Sequence, residues 1–181
     1  MKLHLRNTPT RFGAVAQFLH WAVVVGIALQ FTWAWRIDEA DSIRQQFALV
    51  NQHKSIGMSV LILVLIRLAW RAFNRPPPHP DTMPPWERRS AAVSHGLLYG
   101  LILALPLSGW AYSSAAGYGA EFFGLVEIPD FMPQDERLES ILASVHDGLG
   151  VALAVLVCVH VLAALRHHFR LHDDVLKRML P

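Results

Sequence analysis

The stretch Ser144 to Leu165, SVHDGLGVALAVLVCVHVLAAL, constrains this chain more than any other. It is long and apolar enough to cross a bilayer, yet it carries His146 and His160, and an imidazole in hydrocarbon costs free energy unless something binds it. Their fourteen-residue separation rises about 21 Å in an α-helix and turns through close to four whole turns. Both rings therefore leave one face, one toward each side of the membrane. Each needs a partner from elsewhere in the chain.

Three more apolar runs precede it. The expected fold is an all-α membrane protein, a single domain over 1–181, with spans at about 14–35, 51–73, 91–113 and 144–165 in an antiparallel four-helix bundle. Charged residues make up 17% of the chain, below the roughly 25% of soluble domains, which fits short polar connections between spans. The first run is too long for a signal-peptide core and has no small-residue cleavage site after it, so it reads as a retained helix.

Bases cluster in alternate connections. Lys2, Arg6 and Arg11 precede the first run, Arg71, Arg75, Arg88 and Arg89 join the second to the third, and Arg166, Arg170, Lys177 and Arg178 follow the fourth. The other two connections are mainly acidic, so the positive-inside rule puts both termini in the cytoplasm. No nucleic-acid partner is expected; the lipid bilayer is. The tract RPPPHPDTMPP, 75–85, reads as a short stiff inner connection, and Pro106 should kink the third span. Residues 114–141 form a long connection whose Phe122, Phe123, Phe131 and Met132 either lie on the membrane surface or cap an outer cofactor. The tail HHFRLHDDVLKRML reads as a basic interfacial segment.

Depth then pairs the histidines. His20 lies about six residues inside the inner end of the first span, matching His160, and His53 opens the second span at the outer level of His146. Two bis-imidazole sites without thiolate or carboxylate suit two haem b groups, each a closed six-coordinate iron that carries electrons. The single cysteine, Cys158, and the lack of any CxxCH pattern make the haem non-covalent. Gly57 and Gly150 each follow an outer histidine by four residues and leave a patch free of side chain for a flat macrocycle, or for close helix packing. Arg67, with Arg71, either clamps propionates or snorkels to headgroups. His95 is open to three roles: replacing His20, lining a quinone pocket, or reaching water. Lys54 and Asp147 flank the outer ligands and pair with each other, contact propionates or guide a charged substrate.

The segments FLHW (18–21), NQHKSIG (51–57), HGLLYGLILALPLSGW (95–110), SVHDGLG (144–150) and VHVLAALRHHF (159–169) resemble the bacterial cytochrome b561 family over nearly the whole chain. The tail DDVLKRMLP, 173–181, resembles the ending of the family's superoxide-oxidising member. The resemblance implies a di-haem b oxidoreductase of the bacterial inner membrane with the ligand pairs given above. It also implies that superoxide gives an electron to the outer haem on the periplasmic side, and that the electron passes by the inner haem to ubiquinone. The same motifs resemble cytochrome b subunits that relay electrons between a dehydrogenase or hydrogenase and quinone, so a redox partner subunit is the alternative. A histidine-lined metal transporter competes from another class, though such sites sit near the midplane on broken helices. The acidic excess outside should repel an anion, leaving Lys54, Arg36, Arg44 and Arg137 to form any local positive funnel.

Overall fold

The computed structural model describes residues 4–80 and 83–180; Lys2 of the inner charge cluster, Asp81 and Thr82 of the proline tract, and Pro181 lie outside them. Four helices run in order: α1 (Ala14–Asp38), α2 (Ile43–Phe73), α3 (Pro85–Ala115) and α4 (Glu136–Phe169). A hairpin of β1 (Ala120–Phe122) and β2 (Val126–Ile128) lies between α3 and α4. All four helices are long and apolar enough to cross a membrane.

Each helix contains its expected apolar run and continues beyond it. α2 starts at Ile43 and α4 at Glu136, each eight residues before the hydropathy boundary. The extensions IRQQFALV and ERLESILA are rich in good helix formers, and both begin at a side-chain cap. Ser42 Oγ accepts from Gln45 N–H at 3.3 Å and Asp135 Oδ1 from Leu138 N–H at 2.7 Å. Hydropathy marks where the membrane begins, whereas the helix begins where its free N–H groups find a cap. α3 opens with Pro85 in its first turn and runs unbroken through Pro106.

The bundle is not evenly closed. α1 lies along α2, α2 meets α3, and α3 lies along α4, but no Cα of α4 comes within 8 Å of one in α1 or α2. The α1–α2 seam is tight because Gly26 faces Val60: a Cβ on Gly26 would stand 2.6 Å from Val60 Cγ2. A small core of Val23, Val60, Val64, Ile102 and Leu153 ties the seams together. Between α4 and the α1–α2 pair a slot remains.

The connection from α3 to α4 closes the outer end of that slot. Phe123 and Gly124 carry the paired positive φ values, 52° and 69°, that a tight hairpin turn uses. Ser55 on α2 fastens the hairpin, its Oγ accepting from Phe123 N–H at 2.9 Å and lying 3.0 Å from Glu121 O. Lys54 Nζ donates to Tyr118 O and Gly119 O, both at 3.1 Å. On the α3 side, Trp110 Nε1 donates to Pro129 O at 3.0 Å and its ring meets Phe131 edge-on. Ser55 is 2% exposed, so Ser55→Ala strands buried backbone groups at about 1–3 kcal/mol. Faster amide exchange over 120–128 is the expected readout.

The tail packs against the inner end of α1. Its last residues fold back on the chain: Gln17 Nε2 donates to Leu180 O at 2.7 Å and Trp21 Nε1 to Met179 O at 3.0 Å. Arg11 Nη2 also donates to Leu180 O, at 2.8 Å, and Arg178 Nη1 to Pro78 O, at 2.7 Å. Of the tail's basic side chains, Arg178 thus reaches the proline tract and pairs with Asp174, while the tail's backbone carbonyls meet the start of α1.

Candidate functional site

Imidazole pairs bridge the slot at two levels. His53 on α2 and His146 on α4 each sit ten residues into their helices, and their ring centroids are 6.3 Å apart at 79°. His20 on α1 and His160 on α4 are 6.5 Å apart at 70°. A metal about 2 Å from one nitrogen of each of two facing imidazoles puts their centroids roughly 6 Å apart. Both spacings fit that arrangement.

His95 on α3 comes closer still to His160, at 5.5 Å, so the inner level gathers three imidazoles. Arg67 lies among them and binds protein: its Nε donates to Tyr99 Oη at 3.0 Å and its Nη1 to Ala16 O at 3.2 Å. It thereby joins α1, α2 and α3 at this depth. Arg71 lies over the Tyr99 ring at 5.8 Å.

At the outer level the slot widens into a cavity of about 1040 Å³, at the upper end of the range for ligand pockets. His53, His146, Gly57, Gly150 and Lys54 all line it, as do Tyr118 and Gly119 of the capping connection. Phe122, Phe123, Phe131 and Met132 of the same connection are not in the lining. Gly150 faces open space, as its spacing predicts. Gly57 does not: a Cβ there would meet Gln30 Nε2 at 2.6 Å, so the patch expected to be free holds the Gln30 amide. Spacing along α2 could not reveal a side chain arriving from α1. Gln30 had a signal nonetheless, as a polar amide within an apolar run.

The donor set narrows what the slot can hold. Among the described residues, no group of three or more His, Cys, Asp or Glu side chains is arranged to hold a bare metal ion. Two imidazoles suffice when the guest brings its own in-plane donors, as haem does. His53 Nδ1 and Gln30 Oε1 are buried without hydrogen-bond partners among the described residues, which marks a site needing a further polar group. These residues fit haem.

Charge around the cavity differs from expectation. Among the described residues Lys54 is the one lysine or arginine lining it, against Asp38 and Asp147. Arg36, Arg44 and Arg137 are not in the lining, and Arg36 stacks on Trp33 at 5.0 Å. The positive funnel thus reduces to Lys54, whose Nζ is held by two carbonyls.

Residues 11–181 match the family described as prokaryotic cytochrome b561. Cytochrome b561 homolog 2 of Escherichia coli (strain K12) is 31% identical over 177 residues, covering 96% of this chain and 93% of that protein. Cytochrome b561 homolog 1 of the same organism is 27% identical over 94% of this chain and 97% of its own length. The probable superoxide oxidase CybB of Yersinia pestis is 32% identical over 133 residues, 71% of this chain and 73% of that protein.

Proposed function

Because this chain belongs to the prokaryotic cytochrome b561 family, we propose that it is a di-haem b electron-transfer enzyme of the bacterial inner membrane, with both termini cytoplasmic, that oxidises periplasmic superoxide to oxygen and reduces ubiquinone. The observation that carries this reading is the slot between α4 and the α1–α2 pair, crossed by imidazole pairs of nearly equal spacing. Haem b held there supplies a one-electron iron couple that no side chain provides. His53 with His146, and His20 with His160, would hold the group from both sides and leave oxygen no open position.

The remaining residues bind, orient and exclude water. The strap over 118–128 covers the outer cavity, and Lys54 gives an approaching anion a fixed positive charge at its edge. Two superoxide ions release one electron each, and ubiquinone takes both electrons with two protons. His95 is the residue we assign to the quinone pocket, where a ring nitrogen can hold a proton beside His160. Arg67, bound to Tyr99 and Ala16, fixes the inner level and leaves propionate contact as its secondary role.

Lys54→Gln should slow reduction by superoxide about three- to tenfold and flatten its salt dependence, while Lys54→Arg preserves both. An unchanged rate in Lys54→Gln removes Lys54 from the mechanism.

The acidic lining favours a second reading, a cytochrome b subunit reduced by a partner dehydrogenase or hydrogenase, since Asp38 and Asp147 repel an anion but not a neutral or basic partner. Anaerobic stopped-flow absorbance separates the two. Oxidised protein is mixed with superoxide and then with a ubiquinone analogue. Fast haem reduction followed by reoxidation supports the oxidase. Haems that ignore superoxide but accept electrons from a co-purifying dehydrogenase establish the relay.

A further inference from the structure

The segment LPLSGW of α3, 105–110, faces the outer site from a helix that contributes no outer ligand. Ser108 Oγ lies 2.8 Å from Leu105 O and 2.9 Å from His146 Nδ1. A hydroxyl has a single proton, so Ser108 gives it either to His146 Nδ1 or to Leu105 O, accepting from Nδ1–H in the second case. An imidazole that ligates through Nε2 carries its proton on Nδ1, so with His146 as a ligand Ser108 donates to Leu105 O and accepts from the ring.

Gly109 makes room for that ring. A Cβ on Gly109 would stand 3.0 Å from His146 Cε1 and 3.3 Å from Nδ1, closer than packed carbons sit. The contrast with His53 is direct: its Nδ1 is buried without a partner among the described residues.

We infer that Ser108 and Gly109 form a seat on α3 that selects the Nε2-ligating tautomer of His146, making Ser108 a positioning residue that tunes the outer redox couple. The inference rests on His146 being an axial ligand. A hydrogen bond from Nδ1–H into Ser108 pushes electron density onto Nε2 and favours the ferric over the ferrous iron. Loss of such an outer-shell partner typically costs about 10- to 100-fold in metal affinity. If the loss falls tenfold more on the ferric state, the couple rises by about 59 mV for one electron.

The test is a spectroscopic redox titration of the haem-loaded protein with Ser108→Ala and Ser108→Thr. Ser108→Ala should raise the potential of the outer couple and leave the inner one in place as an internal control. Ser108→Thr, which keeps the hydroxyl, should restore it. An unchanged outer potential in Ser108→Ala means that Leu105 O takes the Nδ1–H directly, and overturns the role of Ser108. A shift shared by both couples, or one that threonine fails to reverse, overturns it as a general packing defect. His146→Ala run alongside keeps the premise separate: if that variant retains both haems, the ligand reading fails and the inference goes with it.

Discussion

On the proposed di-haem reading, alanine at position 146 should strip the outer haem and spare the inner one. Among the described residues the imidazole paired with it at this level is His53, 6.3 Å away across the slot, and one ligand alone would not hold a two-imidazole site closed. Haem per protein, measured by the pyridine haemochrome assay, should fall by about half, with affinity at that site down more than about 100-fold. The inner level should respond unevenly. His160→Ala removes the ring that both His20 and His95 face, so the inner haem is lost. His20→Ala leaves His95 at 5.5 Å from His160, and partial retention with an altered spectrum is the expected result. Full haem content in both His146→Ala and His160→Ala would sink the two-site reading.

Gly26→Leu should give the largest loss of stability among single changes on the seam. The seam closes on Val60, a β-branched core side chain that is 5% exposed and has no room to swing away. Overpacking at such a point costs about 1–3 kcal/mol and at times more. α1 must then move off α2. His20 travels with α1, so the inner haem should bleach first on heating, ahead of the outer one held by α2 and α4. Differential loss of the two haem signals during a thermal ramp in detergent checks this, and simultaneous loss would mean that α1 moves without disturbing the inner level.

The histidine pairing was legible because it depends on two quantities the sequence carries, distance along a helix and depth in an apolar run. His20, His53, His146 and His160 could be matched by counting alone. The slot was not legible. Whether α4 closes on α1 or stands away depends on the rotation and splay of whole helices, which hydropathy does not encode. Gln30 over Gly57, Arg67 on Tyr99 and Ser108 under His146 are all contacts between helices, and each was invisible for that reason. The helix starts at Ile43 and Glu136 were missed for a local cause: the caps Ser42 and Asp135 lie outside the apolar runs used to find the spans. The hairpin at 120–128 has a visible turn glycine, Gly124, but its anchor on Ser55 lies more than sixty residues upstream.

The fold-back of the tail also bears on how the protein is made. Gln17 leaves the ribosome 161 and 163 residues before the Arg178 and Leu180 carbonyls that receive its amide. At translation speeds of about 5–20 residues per second, that separation is roughly ten to thirty seconds. Through that interval α1 is already in the membrane with its inner end uncovered. The inner level itself is assembled late: His160 leaves the ribosome only 18 and 20 residues before Arg178 and Leu180, about one to four seconds at the same speeds, so the cover on α1 follows the last inner imidazole almost at once.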